Sequence, residues 1–343
     1  MHSRSYLFDA RPDLPLFVSA KQYWDPATSS RDADAYTLIF THGTGFPKEI
    51  WEPCLEDIMA HVPGGMLKVN DVWIIEAPNH GEAALLNEPV LSSSYRPVFR
   101  QEDYAHAIHA LLSGFGTGVN VDFSKRRLLG IGHSMGTTSL MLTLTRSPPP
   151  QWSALVLIEP MLFPRGPDSL NVQDILVKAA LKRRDSWASA EEAKRLMLSK
   201  TQWRIWEPRV FDRFLEYGLR PLHRDQPFGP VVLTTSPSNE AACLNDGHGA
   251  TRSHTLFPSV VKRVPVHLIY GASPSYIPAA VREDVVNNLS GGKDRLASVS
   301  MVANAGHLLN VTHPTELART IYDALALTWA QSRSDNHHEK ARL

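Results

Sequence analysis

The residues of this chain best suited to chemistry stand in one pentapeptide, Gly132-His133-Ser134-Met135-Gly136. A serine in a Gly-x-Ser-x-Gly setting occupies a strand-to-helix turn so sharp that its Oγ stands clear of the sheet, open to attack an electrophile. The flanking glycines are required where neighbouring chain passes too close for a Cβ. A serine hydroxyl becomes a useful nucleophile only with a base to take its proton and a carboxylate to hold that base in the right tautomer. His307, which follows Gly306 and an apolar run 173 residues after Ser134, is the candidate base. The candidate acid is Glu159, which closes the apolar run Ala154–Ile158. A carboxylate there is costly to bury unless it is paired. The more common position for such an acid is the loop Gly271-Ala272-Ser273-Pro274-Ser275-Tyr276, which has no carboxylate. Asp246 and Asp225 remain as alternatives. A tetrahedral intermediate also needs two backbone N–H donors for its oxyanion. Met135 supplies one candidate and Thr44, in His42-Gly43-Thr44-Gly45, the other.

These residues need elements to hold them. Arg127–Ile131 reads as a buried strand feeding the serine turn, and Thr138–Leu144 as the helix that leaves it. Tyr36–Thr41, Asp71–Glu76, Ala154–Ile158, Val264–Tyr270 and Leu296–Val302 are short apolar or β-branched runs of the kind found in strands buried on both faces. Helices are expected between them, over 48–61, 101–115, 279–289 and from Pro314 to about Ala330. That alternation argues for an α/β fold with a mostly parallel central sheet. The first 30 or so residues, around Leu14–Ala20, read as an antiparallel edge hairpin because Pro12, Pro15 and Pro26 suit an edge. The rhythm stops after Glu159. Amphipathic stretches over 172–183, 190–199 and 209–217, with Trp187, Trp203 and Trp206, suggest a helical cap over the active face. The expected organisation is a core of 1–160 and 263–331, a cap of 161–262 and a flexible tail of 332–343.

The strand rhythm, His-Gly-Thr-Gly, Gly-His-Ser-Met-Gly and the late Gly-His resemble the α/β-hydrolase superfamily over nearly the whole chain. The run Thr41-His42-Gly43-Thr44-Gly45-Phe46-Pro47-Lys48-Glu49-Ile50-Trp51-Glu52-Pro53 further resembles fungal secondary-metabolite hydrolases. That group includes host-selective-toxin biosynthesis proteins and the acyl-CoA thioesterase of mycophenolic acid biosynthesis. The resemblance implies a serine hydrolase with its acid after the strand that follows the elbow helix, which is Glu159 here; the thioesterase has Asp at that place. It also implies a hydrophobic acyl ester or thioester as substrate, with acyl-CoA the leading expectation and a plain carboxylesterase as the alternative. A ligand-binding relative without turnover is the competing reading from another class, supported only by the missing carboxylate at 271–276. Lys178, Lys182, Arg183 and Arg184 are candidates to meet the phosphates of CoA.

Composition narrows the rest. With 35 basic and 35 acidic residues the chain has no charge excess to suit nucleic acid or an anionic membrane surface. Cys54 and Cys243 are far apart, in no metal-binding spacing, which indicates a reducing compartment. No window approaches the roughly 20 apolar residues of a membrane span, and no signal peptide is evident. No phosphate-binding or dinucleotide glycine fingerprint is found, so neither cofactor nor metal is expected. The last residues, Ala341-Arg342-Leu343, have the small–basic–Leu form of a peroxisomal address. The polar stretch 331–340 before them reads as disordered. A peroxisomal protein met by an import receptor is therefore expected, or a cytosolic one if the tail is not read.

Overall fold

The computed structural model describes residues 1–340 except 63, 64, 66, 165, 224, 227 and 275. Eight strands form one sheet: β1 (His2–Asp9), β2 (Phe17–Trp24), β3 (Tyr36–Thr41), β4 (Val69–Ile75), β5 (Arg127–His133), β6 (Trp152–Ile158), β10 (Val266–Gly271) and β11 (Ser298–Val302). Their order is β1-β2-β4-β3-β5-β6-β10-β11. The pairs β1/β2 and β2/β4 are antiparallel and all the others parallel, so the expected edge hairpin and parallel body are both present.

The central strands are apolar at nearly every position because the sheet is covered on both faces. Leu38 and Phe40 of β3 join a cluster with Ile131, Ile158, Trp51 and Trp329, while Ile39 joins Trp73, Leu157, Tyr104 and Leu140 on the other side. The first face is closed by α1 (Glu52–His61) and α13 (Pro314–Lys340), which pack on each other. The second is closed by α3 (Gln101–Ser113), α4 (Met135–Thr143) and α10 (Gly249–Arg263). The sequence places 249–262 in the cap; in the structure they belong to α10, which packs on α4 and buries Phe257 and Val260 in the core. The stretch 331–340, read as disordered, continues α13, since no Gly or Pro after Pro314 breaks the helix. The tail tripeptide 341–343 lies outside the described residues. The helix α2 (Gly81–Ser94) was not anticipated; Pro89 within it interrupts the pattern.

The insert between β6 and α10 holds the three expected helices, α5 (Pro167–Leu181), α6 (Ala190–Leu198) and α8 (Pro208–Tyr217), with α7 (Thr201–Arg204) and α9 (Pro237–Leu244). It also holds a small antiparallel sheet, in the order β7 (Ser186–Trp187), β9 (Val231–Leu233), β8 (Leu219–Pro221). At two or three residues each, these strands are too short to show a period in sequence. Among the described residues no helix is long and apolar enough to cross a membrane.

Candidate active site

Strand β5 delivers the chain to Ser134, which adopts φ 52° and ψ −117°, a conformation costly for a residue with a Cβ. Neighbours enforce that turn. The Ser134 N–H donates to the carbonyl of Ile158 at 3.0 Å, and its own carbonyl accepts from the Thr137 hydroxyl at 2.6 Å. A Cβ on Gly136 would lie 2.6 Å from Thr41 Oγ1 and one on Gly132 2.8 Å from Gly136, so both glycines are demanded by close approach. Met135 opens α4, and its N–H therefore has no partner within the helix. Thr44 lies beside it, the hydroxyl 3.5 Å from Met135 Sδ.

The histidine and carboxylate meet the serine from two other strand ends. His307, in the loop after β11, has Nε2 3.1 Å from Ser134 Oγ and Nδ1 3.0 Å from Glu159 Oε2. Glu159 follows β6 with φ 50° and is fully buried. Its Oε1 accepts the Gly271 N–H at 2.7 Å. The loop that has no carboxylate thus contributes a donor to a carboxylate from the neighbouring strand. Burial acts to raise the Glu159 carboxyl, but the His307 hydrogen bond and charge and the Gly271 N–H hold it below the usual range. Nδ1–H of His307 then faces an ionised acceptor, which leaves Nε2 free to take a proton from Ser134. Asp246 instead accepts from the Gln101 N–H at 2.9 Å and pairs with Arg252 at 2.7 Å, and Asp225 is exposed. Neither bonds to His307.

Three buried histidines brace this arrangement, and none was assigned from sequence. His133 Nε2–H donates to the His307 carbonyl at 2.8 Å, tying the elbow to the loop that carries the imidazole. Burial pushes its pKa down to about 3, so it is a neutral donor. His80 Nε2 accepts the Gly45 N–H at 2.8 Å, and His42 Nε2 accepts the Ala77 N–H at 3.0 Å. Burial holds His80 well below its ordinary value and takes His42 to about 4. Behind the same loop, the buried Lys48 ammonium lies 3.1 Å from Glu49 and 3.5 Å from Glu76. Glu76, pushed up to about 7 by burial against the pull of Lys48, also accepts the Lys48 N–H at 3.2 Å. The motif Phe46–Pro53 is in this way a structural support for the loop bearing Thr44.

Ser134, His307, Thr44 and Met135 border a cavity of about 660 Å³. One face of α5 lines it (Val172, Gln173, Leu176, Ala179, Ala180), and so do Trp187, Trp203 and Trp206. Trp203 and Trp206 also pack against each other, ring centroids 4.7 Å apart and tilted, and against Phe214, so they serve the insert's own core as well. Of the four cations singled out in sequence, Lys182, Arg183 and Arg184 line the cavity. Lys178 does not, and pairs with Asp174 at 2.5 Å on the exposed side of α5.

A serine on a tight turn, an imidazole from one strand end and a carboxylate from another imply a fold family, and comparison decides which. Residues 38–320 match the model of the alpha/beta hydrolase family. The chain belongs to that family. Within it, the chain is similar to the type I acyl-CoA thioesterase mpaH of Penicillium brevicompactum, at 28% identity over 245 residues, covering 66% of this chain and 53% of that protein. The same thioesterase from Penicillium roqueforti is 26% identical over 238 residues, 66% of this chain and 49% of that one. The match thus spans about half the length of these curated relatives. Among solved structures, the peroxisomal alpha-beta-hydrolase Lpx1 of Saccharomyces cerevisiae superposes with a TM-score of 0.69 at 21% identity, covering 100% of this chain and 98% of that one. The thioesterase domain from the curacin biosynthetic pathway gives 0.62 at 14% identity, covering 94% and 99%. These structural likenesses speak for the family fold.

Proposed function

We propose that this protein hydrolyses a carboxylic ester or thioester through Ser134, His307 and Glu159, and that its substrates are acyl-CoA thioesters with bulky apolar acyl groups. The observation that carries the reading is the continuous chain of hydrogen bonds Ser134–His307–Glu159 at the edge of a largely apolar cavity. His307 takes the Ser134 proton as Oγ adds to the acyl carbon. The oxyanion is received by the N–H groups of Met135 and Thr44, the thiolate or alkoxide departs, and water then releases the acid from the acyl-enzyme by the same steps. A thiolate needs less protonation by His307 than an alkoxide does. With Glu159 taken as the acid, the reading of a binding protein without turnover loses its one argument.

The thioester preference has two supports, the acyl-CoA thioesterase activity of the Penicillium relatives and the cations Lys182, Arg184 and Lys200 along the cavity wall. In this reading the insert acts as a cap whose tryptophans and α5 face supply apolar area to the acyl group. The test is kcat/KM on an acyl-CoA and on the ethyl ester of the same acid. A preference for the thioester supports the reading; a preference for the ester leaves a carboxylesterase. We also propose peroxisomal residence, by likeness to the peroxisomal relative of Saccharomyces cerevisiae, through receptor contact with Ala341, Arg342 and Leu343. An N-terminal fluorescent fusion is expected to be punctate and to become diffuse without those three residues. A diffuse signal from the full chain refutes it.

A further inference from the structure

Arg183 differs from the cations beside it. Lys182, Arg184 and Lys200 are exposed, whereas Arg183, just past the end of α5, is drawn inward to Glu240 on α9, with Nη2 2.9 Å from Oε1. The Glu240 carboxylate is buried against the loop that bears Thr44; a Cβ on Gly45 would lie 2.9 Å from Glu240 Oε1. That loop also borders the nucleophile, since a Cβ on Gly43 would lie 3.4 Å from Ser134 Cβ. Both Arg183 and Glu240 line the cavity. A carboxylate in such a wall is costly unless paired. The pairing fixes a guanidinium where it is reachable from inside the cavity.

We propose that Arg183, anchored by Glu240, forms an anion subsite that selects substrates bearing a carboxylate or phosphate remote from the scissile carbonyl. The inference rests on the hydrolase reading and deepens it by naming a substrate feature. A guanidinium presents five donors in a planar fork, and its one charged partner among the described residues is Glu240. The remaining edge suits bidentate contact with a second oxyanion. The surroundings favour a negative ligand: Lys182, Arg184 and Lys200 share the wall, and the other lining carboxylate, Asp246, is engaged by Arg252. Burial raises the Glu240 carboxyl above its usual range, and the Arg183 charge pulls against that rise.

The anion belongs either to the acyl group or to the leaving group, and two substrate pairs separate these sources. The first is the p-nitrophenyl ester of a medium-chain dicarboxylic acid, with its far end free or methylated. The second is an acyl-CoA and the matching N-acetylcysteamine thioester, which has no phosphate. In at least one pair kcat/KM is expected to favour the anion by about tenfold or more, the worth of a charge-assisted hydrogen bond. Arg183→Leu removes most of that excess, and Arg183→Lys, which keeps the charge without the fork, leaves part of it. A merely structural ion pair lowers both members of a pair together and leaves the ratio standing. Ratios within about threefold of one in both pairs of the wild type, or an excess that survives Arg183→Leu, overturn the subsite. Calorimetric titration of the same compounds into Ser134→Ala keeps the two claims apart. An anion preference in Kd without wild-type turnover sinks the hydrolase reading and leaves the subsite, whereas turnover without preference sinks the subsite alone.

Discussion

Replacing Glu159 by Gln tests the proposed placing of the acid after β6. The two side chains are nearly isosteric, so the fold is expected to persist, but hydrogen-bond bookkeeping forces a change. Glu159 Oε1 accepts the Gly271 N–H at 2.7 Å. In the amide, the single oxygen must keep that buried donor, because an NH2 facing an N–H leaves both unsatisfied. The NH2 is then turned toward His307 Nδ1, now 3.0 Å from Oε2. An imidazole meeting a donor at Nδ1 carries its proton on Nε2, the atom that has to accept from Ser134. The same substitution removes the negative charge that stabilises the imidazolium. Loss of tautomer and charge together is worth about 10⁴-fold in kcat, or about 5.5 kcal/mol of transition-state stabilisation. Steady-state hydrolysis of a p-nitrophenyl ester at neutral pH reads the loss, with circular dichroism and Tm as folding controls. Glu159→Asp, shorter by one methylene, is expected to lose about 10- to 100-fold because it cannot span both partners. Retention of more than about a tenth of wild-type kcat/KM by Glu159→Gln refutes the reasoning.

Further outcomes follow from the same contacts. His133→Phe leaves the His307 carbonyl without its buried donor, at a cost of about 1–3 kcal/mol of stability, and the loosened base loop lowers kcat more than it changes KM; unaltered kcat argues against positioning by His133. Gly136→Ala sets a methyl 2.6 Å from Thr41 Oγ1 and 2.8 Å from its backbone, so denaturant midpoints are expected to fall by the equivalent of about 1–3 kcal/mol. Stability is expected to drop with acid. His42 and His133 have folded pKa values of about 4 and 3, below an unfolded value near 6.5. The unfolded chain therefore binds more protons as pH falls below about 6.5, and each histidine costs about 1.4 kcal/mol per pH unit down to its folded pKa. Glu76, raised to about 7, acts with the opposite sign between about pH 4.5 and 7, and it offsets only one histidine. Urea denaturation at pH 7.5 and pH 5.0 checks the balance; equal stability at both contradicts the neutral-histidine account.

How much of this was legible in sequence depended on whether the signal was local. The elbow was readable because strand, glycines and helix are consecutive residues that need one another. The contacts of His307 with Ser134 and Glu159 have a sequence cue only in the places of both residues after buried strands, and no local pattern of their own. Glu76 shows the limit of that argument. It closes an apolar strand just as Glu159 does, yet it holds Lys48 and the backbone rather than an imidazole. Only the register of β6 beside β10, which sets Glu159 under Gly271 and beside His307, separates the two roles. His42, His80 and His133 went unassigned because their partners are backbone groups from other segments, which sequence does not bring together. The packing of α10 is hidden in sequence for a similar reason. The sequence of α10 is amphipathic like that of α5, and what distinguishes it is its contact with α4.

Covalent capture at Ser134 tests the central claim most directly. Incubation with a fluorophosphonate and intact-mass measurement should show one stoichiometric adduct on the wild type, which peptide mapping assigns to Ser134. Ser134→Ala should show none, and His307→Ala should label slowly because the proton acceptor 3.1 Å from Oγ is gone. An adduct of equal yield on Ser134→Ala, or one mapped to another residue of the wild type, contradicts the account.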